Sequence, residues 1–374
     1  MHLIFNVPRF ATTIFLAFVC FFSAGQKSNW SLEKLGLKNL QQQLSYIPAK
    51  SFNSLAYTGK DSASAYGQRV ASVQGFYISK TEVTNKEYRE FVYYVRDSIA
   101  HNLLGQYNDN SHSIDWSQKI DWKDDRLEPI MLSPDERIFE RKEIAPDKIV
   151  YNIDFFGSQQ TISIYPDTLV WIRDFAYANN EPLAKNYFSN AAYDHYPVVG
   201  INLKQALAFC RWKTILINRS LKEKEDTKIE VIVRLPSHTE WESASFEVKD
   251  SVSIFNGNKG YSCNFGTITT VGGTMKKDFR DDGYFYTAPV KSYLPGPFGL
   301  YDMKGNVAEW TSTAREEIMN AEIKAEKKNT FFVVKGGGWN SPPFYLQAGV
   351  CQFFPVDAAH SFVGFRYVVE VLKK

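Results

Sequence analysis

Cysteine is scarce in this chain, with four in 374 residues, so a disulfide framework cannot be what holds it together. If Cys20 leaves with a leader, Cys210, Cys263 and Cys351 remain, an odd number that allows one intramolecular pair at most. Histidine is equally sparse. His101, His112, His195, His238 and His360 fall into no HExxH or CxxC-type ligand spacing, and no Ser/His/Asp order or paired-carboxylate spacing stands out. The formal net charge is only +2, without a Lys/Arg block or a basic stripe interleaved with aromatics, which sets nucleic acid aside as a partner. Beyond the first 25 residues no apolar run approaches the roughly 20 residues of a membrane-spanning helix. Internal repeats and low-complexity tracts are absent too. What is present is core material: 44% of the residues are hydrophobic and 15% aromatic, enough to bury one large core or two modest ones and to exclude a disordered chain.

The N-terminus differs from the rest. Arg9 precedes an apolar stretch over residues 10–22 and then Ser23, Ala24 and Gly25, the pattern of a secretory signal peptide over residues 1–25. Cleavage after Gly25 leaves Gln26 as the mature terminus. The alternative makes Cys20 a lipidated terminus, against the bulk of Ala17, Phe18 and Val19 before it. Export is expected on either reading, to a compartment that permits disulfides.

Three helices announce themselves by their caps. Thr84 with Glu87 forms a capping box ahead of Tyr88, Phe91, Val92 and Val95, which share one face. Asn202 with Gln205 opens a second helix, with Leu203, Ala206, Leu207 and Cys210 on one stripe. Ser237 with Glu240 opens a short third, carrying Trp241 and Ala244, directly after the strand-like run EVIVRL at 230–235. Between the first two lies an insert of about a hundred residues, 97–196, whose charged start IDWSQKIDWKDD reads as a solvated loop. Residues 250–365 scatter Gly, Pro, Asn and Asp among short β-rich runs such as 330–335. The expectation is an α+β, loop-rich domain.

Six segments recur in a fixed order: FYISKTEVTNKEYREF (76–91), YPVVGINLKQALAFCRW (196–212), RLPSHTEWESA (234–244), GLYDMKGNVAEW (299–310), KGGGWN (335–340) and GFR (364–366). Together they resemble the formylglycine-generating enzyme, or sulfatase-modifying factor, family. The resemblance implies a C-type-lectin-like fold with little regular secondary structure. The residues make physical sense of it. Gly305, Asn306 and the Gly336, Gly337, Gly338 run suit positive φ or close backbone approach, and Trp241, Trp310 and Trp339 supply buried area, reading as core rather than as ligand-stacking rings.

In that family two active-site cysteines bind copper(I), a soft ion that thiolates suit. The resemblance lays Ser341 and Leu346 on those two positions, so neither copper nor the family's oxidation of a substrate cysteine is expected here. It also lays Ser245 opposite Cys351, and Tyr367 opposite Cys210, where some members form disulfides. Calcium is the feature expected to survive. The family's two structural ions correspond to Asn264, Phe265, Asp282 and Tyr284 for one, and to Asp302, Met303, Gly305 and Val307 for the other. Asn264, Asp282 and Asp302 bring oxygen side chains, and backbone carbonyls would supply the rest. Read without the resemblance, Asp282-Gly283 is a turn and Asp302 an N-cap or surface carboxylate.

The end of the insert, YPDTLVWIRDFAYANNEPLAKNYFSNAAYDHYPVVG (165–200), is similar to gliding-motility lipoproteins of the GldK, PorK and GldJ type from Bacteroidota, which lack the enzymatic cysteines. This narrower resemblance implies a non-catalytic component of a type IX secretion or gliding machine. Such a component sits on the periplasmic side of the outer membrane and assembles as a homo-oligomer or as a ring with a second periplasmic protein. The chain is then laid out as a signal peptide at 1–25, an N-terminal segment at 26–50 and a domain at 51–374 that contains the insert. Two other classes stay open. One is an oxidase of altered chemistry. The other is a periplasmic module that binds peptide or glycan through Phe344, Tyr345, Phe353 and Phe354, which otherwise read as core.

Overall fold

The computed structural model describes residues 37–57, 66–108, 113–137, 142–174, 179–222, 229–245, 262–266, 268–271, 274–277, 283–296, 298–319 and 330–373. The leader, with Cys20, and the proposed ligand Asp282 lie outside these residues.

All three capping motifs form as the sequence predicts. In helix α1 (Asn85–Leu104) the Glu87 N–H donates to Thr84 Oγ1 at 3.2 Å, and the Thr84 N–H donates back to the Glu87 carboxylate at 3.1 Å. Tyr88, Phe91, Val92 and Val95 are all buried. The helix does not stop at the expected start of the insert. Ala100 and Leu104 prolong its apolar stripe for two more turns, against Leu127, Ile130 and Met131, and Gly105 ends it with φ 65°. Asn202 and Gln205 exchange hydrogen bonds of 2.8 and 3.0 Å at the start of α2 (Leu203–Lys222). Ser237 and Glu240 do the same before α3 (His238–Ser245).

Two four-stranded sheets carry the core. In the first, strand β1 (Leu44–Ile47), β2 (Phe76–Ser79), β8 (Val368–Lys373) and β3 (Ile229–Arg234) lie side by side, all antiparallel. The C-terminal strand is thus inserted between strands from distant parts of the chain, and β1, drawn from the expected N-terminal segment, belongs to the packed unit. The second sheet runs β6 (Gln352–Pro355), β5 (Phe331–Lys335), β4 (Ala308–Ala314) and β7 (Val363–Gly364), the last pair parallel. The main core lies between α1, α2 and these sheets and includes Phe91, Phe209, Trp310 and Phe365. Among the described residues no helix is long and apolar enough to cross a membrane.

The outer edge of β3 would expose unpaired backbone groups, yet it is closed from the side. Asn218, one turn beyond Thr214 on α2, accepts from the Val231 N–H at 2.8 Å and donates to the Val231 carbonyl at 2.7 Å. Thr214 Oγ1 treats Val233 in the same way, at 2.8 and 3.2 Å. Residues four apart on a helix face residues two apart on a strand, so two side chains seal the edge against strand addition.

Apart from its charged start, which is largely exposed as expected, the insert is folded onto the core. Its hairpin (Val150–Phe155 with Ser158–Ser163) buries Ile153, and Ile149, Ile164 and Phe188 join the main core. Even the charged start docks its two tryptophans. Trp116 stacks on Tyr94 at 4.9 Å, and Trp122 lies against Arg96 at 5.0 Å. The acidic and basic residues around them face solvent.

Candidate functional site

The glycine run after β5 sets the geometry of the site. Gly336 and Gly337 take φ of 89° and 66°, and Gly338 runs so close to the Phe362 carbonyl that a Cβ there would meet its oxygen at 2.7 Å. The loop then folds back on itself. A Cβ placed on Gly337 would lie 3.1 Å from Leu346 Cδ2 and 3.2 Å from Ser341 Cβ. The two expected thiol positions therefore converge on one point, but they bring a hydroxyl and an isobutyl group. Ser341 is buried, and its Oγ accepts from the Gly338 N–H at 2.9 Å, so the hydroxyl serves the turn. Leu346 is buried with Cys263 and Phe265. Nearby, Phe344 is exposed, whereas Tyr345, Phe353 and Phe354 are half-buried.

Cys210 and Cys351 are free thiols and do not pair with each other. Burial pushes Cys210 up to about 12, beside the buried Tyr367 that occupies the expected partner position. Cys351 is also pushed up by burial, although the Lys335 ammonium donates to its sulfur at 3.5 Å. Neither thiol is an activated nucleophile. Ser245, opposite Cys351 by resemblance, is buried with its Oγ unpartnered.

Below the glycine run lies a buried polar centre. Arg366 is fully buried and grips Glu309 through both ends, Nε to Oε2 at 2.6 Å and Nη2 to Oε1 at 2.7 Å. Its remaining donors reach the Ser79, Lys80 and Tyr301 carbonyls. Trp241 Nε1 donates to the same Glu309 carboxylate at 2.6 Å. Asn306, at φ 61°, is the hub. Its Oδ1 accepts from the Ala288 N–H at 2.8 Å, its Nδ2 donates to Glu82 Oε1 at 3.0 Å, and its backbone joins Asn264 and Trp339.

The expected calcium positions divide on this geometry. Asp302 is neither a surface carboxylate nor an N-cap. It is 8% exposed at φ 56°, accepts from the Lys291 N–H at 2.9 Å through Oδ2, and leaves Oδ1 without a partner. Burial raises its carboxyl to about 6. Asn264 Oδ1 is likewise buried and unpartnered, while its amide donates to the Tyr286 carbonyl. Gly305 brings the two loops together, since a Cβ on it would strike the Asn264 carbonyl oxygen at 2.0 Å. Met303 and Val307 are buried, Phe265 packs in the apolar cluster, and the Tyr284 hydroxyl lies 3.3 Å from Ser292. Buried oxygens without partners are what a hard cation would satisfy, so the residues present fit calcium around Asp302 and Asn264. Among the described residues no three His, Cys, Asp or Glu side chains gather into a metal set, so carbonyls would complete any coordination shell.

Glu82 has no counterpart in the expected site. It is fully buried, Oε2 has no partner, and burial followed by the charge of Asp302 raises its carboxyl well above the usual range. Glu82 stands with Glu87 and Glu90 in FYISKTEVTNKEYREF, so no residue-type signal singled it out.

The sulfatase-modifying factor enzyme 1-like domain family matches residues 41–371. A formylglycine-generating enzyme from Thermomonospora curvata is 26% identical over 198 residues, 48% of this chain and 57% of that protein. The inactive C-alpha-formylglycine-generating enzyme 2 of Bos taurus is 32% identical over 120 residues, 32% of this chain and 33% of its own. The matches to these relatives thus span from a third to little more than half of their length. The solved structure of PvdO from Pseudomonas aeruginosa aligns over 87% of this chain and 94% of its own, at a TM-score of 0.47 and 18% identity.

Proposed function

The chain belongs to the sulfatase-modifying factor family, and from its two displaced thiols and the likeness of residues 165–200 to gliding-motility lipoproteins we propose that it is a non-catalytic structural component of a type IX secretion or gliding-motility machine, on the periplasmic side of the outer membrane. The observation that carries the non-catalytic part is the pair Ser341 and Leu346. They converge on Gly337, where the family's chemistry needs two thiolates, and one is locked into a turn while the other fills an apolar cluster. An oxygen and a methyl group do not hold copper(I).

The insert supports the structural role. It is a folded addition that enlarges the surface, with Tyr107, Trp116 and Phe156 at 42%, 43% and 76% exposure, types that anchor protein interfaces. The sealed edge of β3 removes strand addition there as a route of assembly. Partners are then further copies of this chain or a second periplasmic protein. Calcium belongs to the same reading, as structural ions on two loops, one at Asp302 and one at Asn264, whose expected co-ligand Asp282 lies outside the described residues.

Affinity purification of a tagged full chain from its native envelope, with mass spectrometry of what accompanies it, tests the reading. Co-purifying secretion or gliding components are expected. A protein recovered alone, with a copper signal or a modified sulfatase, would reopen the oxidase.

A further inference from the structure

The buried polar centre does not balance its charge. Glu82, Asp302 and Glu309 are three carboxylates within one buried region, and Arg366 is the guanidinium that the described residues bring to it. That guanidinium is used up. It binds both oxygens of Glu309, and its other hydrogens go to three backbone carbonyls. Lys335 donates to the Cys351 sulfur, and the Lys291 ammonium lies over the Tyr301 ring at 5.7 Å, although its backbone N–H serves Asp302 Oδ2. One oxygen of Glu82 and one of Asp302 are thereby left buried without any donor. An unpartnered buried carboxylate oxygen is among the costliest groups a fold can hold.

We infer that Glu82 is a ligand of the same cation as Asp302, its Oε2 and Asp302 Oδ1 closing on one calcium ion. Asn306 serves as the positioning residue, holding the other Glu82 oxygen at 3.0 Å and so turning Oε2 toward the ion. Two carboxylates without counter-charges match one divalent cation, and carbonyls of the 302–307 loop are the neutral oxygens at hand. Glu82 lies 224 positions before Asn306, so the ion would tie the segment that precedes α1 to the loop that precedes β4. The inference rests on the calcium reading above and goes beyond it in assigning a residue that the resemblance does not.

The test uses the full mature chain, stripped with chelator and titrated with calcium alone, reading metal content and thermal midpoint for wild type, Glu82→Gln and Asp302→Asn. Wild type is expected to bind calcium with a raised midpoint, and both variants to bind at least about tenfold more weakly. Metal-free Glu82→Gln should melt no lower than metal-free wild type, because it replaces a buried carboxylate oxygen that has no donor in the metal-free fold. Calcium binding retained by Glu82→Gln and lost by Asp302→Asn would overturn the role of Glu82 and leave the calcium reading standing. No binding by wild type would overturn both.

Discussion

Restoring the two thiols is the sharpest perturbation the structure offers. In a Ser341→Cys, Leu346→Cys double variant the new sulfurs would start from backbone positions whose side chains both lie within 3.2 Å of one point beside Gly337. The substitutions are affordable. Trading the Leu346 side chain for a thiol removes about two buried carbons, or roughly 1.5–2 kcal/mol. Losing the Ser341 acceptor for the Gly338 N–H adds about 1 kcal/mol. A total near 3 kcal/mol is less than the 5–15 kcal/mol of a typical native domain, so the variant should fold. Competition against a coloured copper(I) chelator under anaerobic conditions is the assay. The double variant should take up one copper(I) per chain, while wild type and each single variant take up none that survives the competitor. Copper(I) held as tightly by wild type would mean that other ligands serve and that positions 341 and 346 are not decisive. A double variant that binds none would mean that the two positions do not form a thiolate pair.

Three further outcomes follow from the described packing. Arg366→Met should lower stability by about 3–5 kcal/mol in chemical denaturation, because it strands the buried Glu309 carboxylate, and adding Glu309→Leu should recover most of the loss; no recovery would refute the pairing. Asn218→Leu should cost about 2–3 kcal/mol by orphaning the Val231 N–H and carbonyl, read as a lower denaturant midpoint with an unchanged slope. Glu240 is partly desolvated, but the Arg234 guanidinium and the Ser237 cap together hold its carboxyl below the usual range. A depressed carboxylate stabilises the fold above its unfolded pKa and loses that contribution as pH falls through the folded one. Melting midpoints of wild type should therefore drop below about pH 4.5, and Glu240→Gln should start lower at neutral pH and drop less steeply. Parallel curves for the two proteins would refute this.

What was legible in the sequence was local. The caps at Thr84, Asn202 and Ser237 each involve residues three apart, and each formed. The glycines at 305 and 336–338 could be read as strained or crowded, and a Cβ at each would meet another atom within 3.1 Å. Long-range closure was not legible. The pairing of β8 between β2 and β3, and the Asn306 bond to Glu82 across 224 positions, leave no periodic trace in either segment. The charged start of the insert is exposed as expected, and only its contacts with α1 were not legible. Its charges face solvent as their composition suggests, while Trp116 and Trp122 dock onto α1, which continues past the point where its strongest apolar spacing ends. Asp302 was open to a surface reading because no single-residue signal separates a buried carboxylate from an exposed one.

The central claim is that this chain acts by assembling rather than by oxidising. Affinity purification of a C-terminally tagged copy from its native envelope, with mass spectrometry of its companions and of its mature N-terminus, tests that most directly. Recovery of type IX secretion or gliding components with a copper-free protein is the expected result. Recovery without any such component, with copper in the protein or a modified sulfatase beside it, would contradict it.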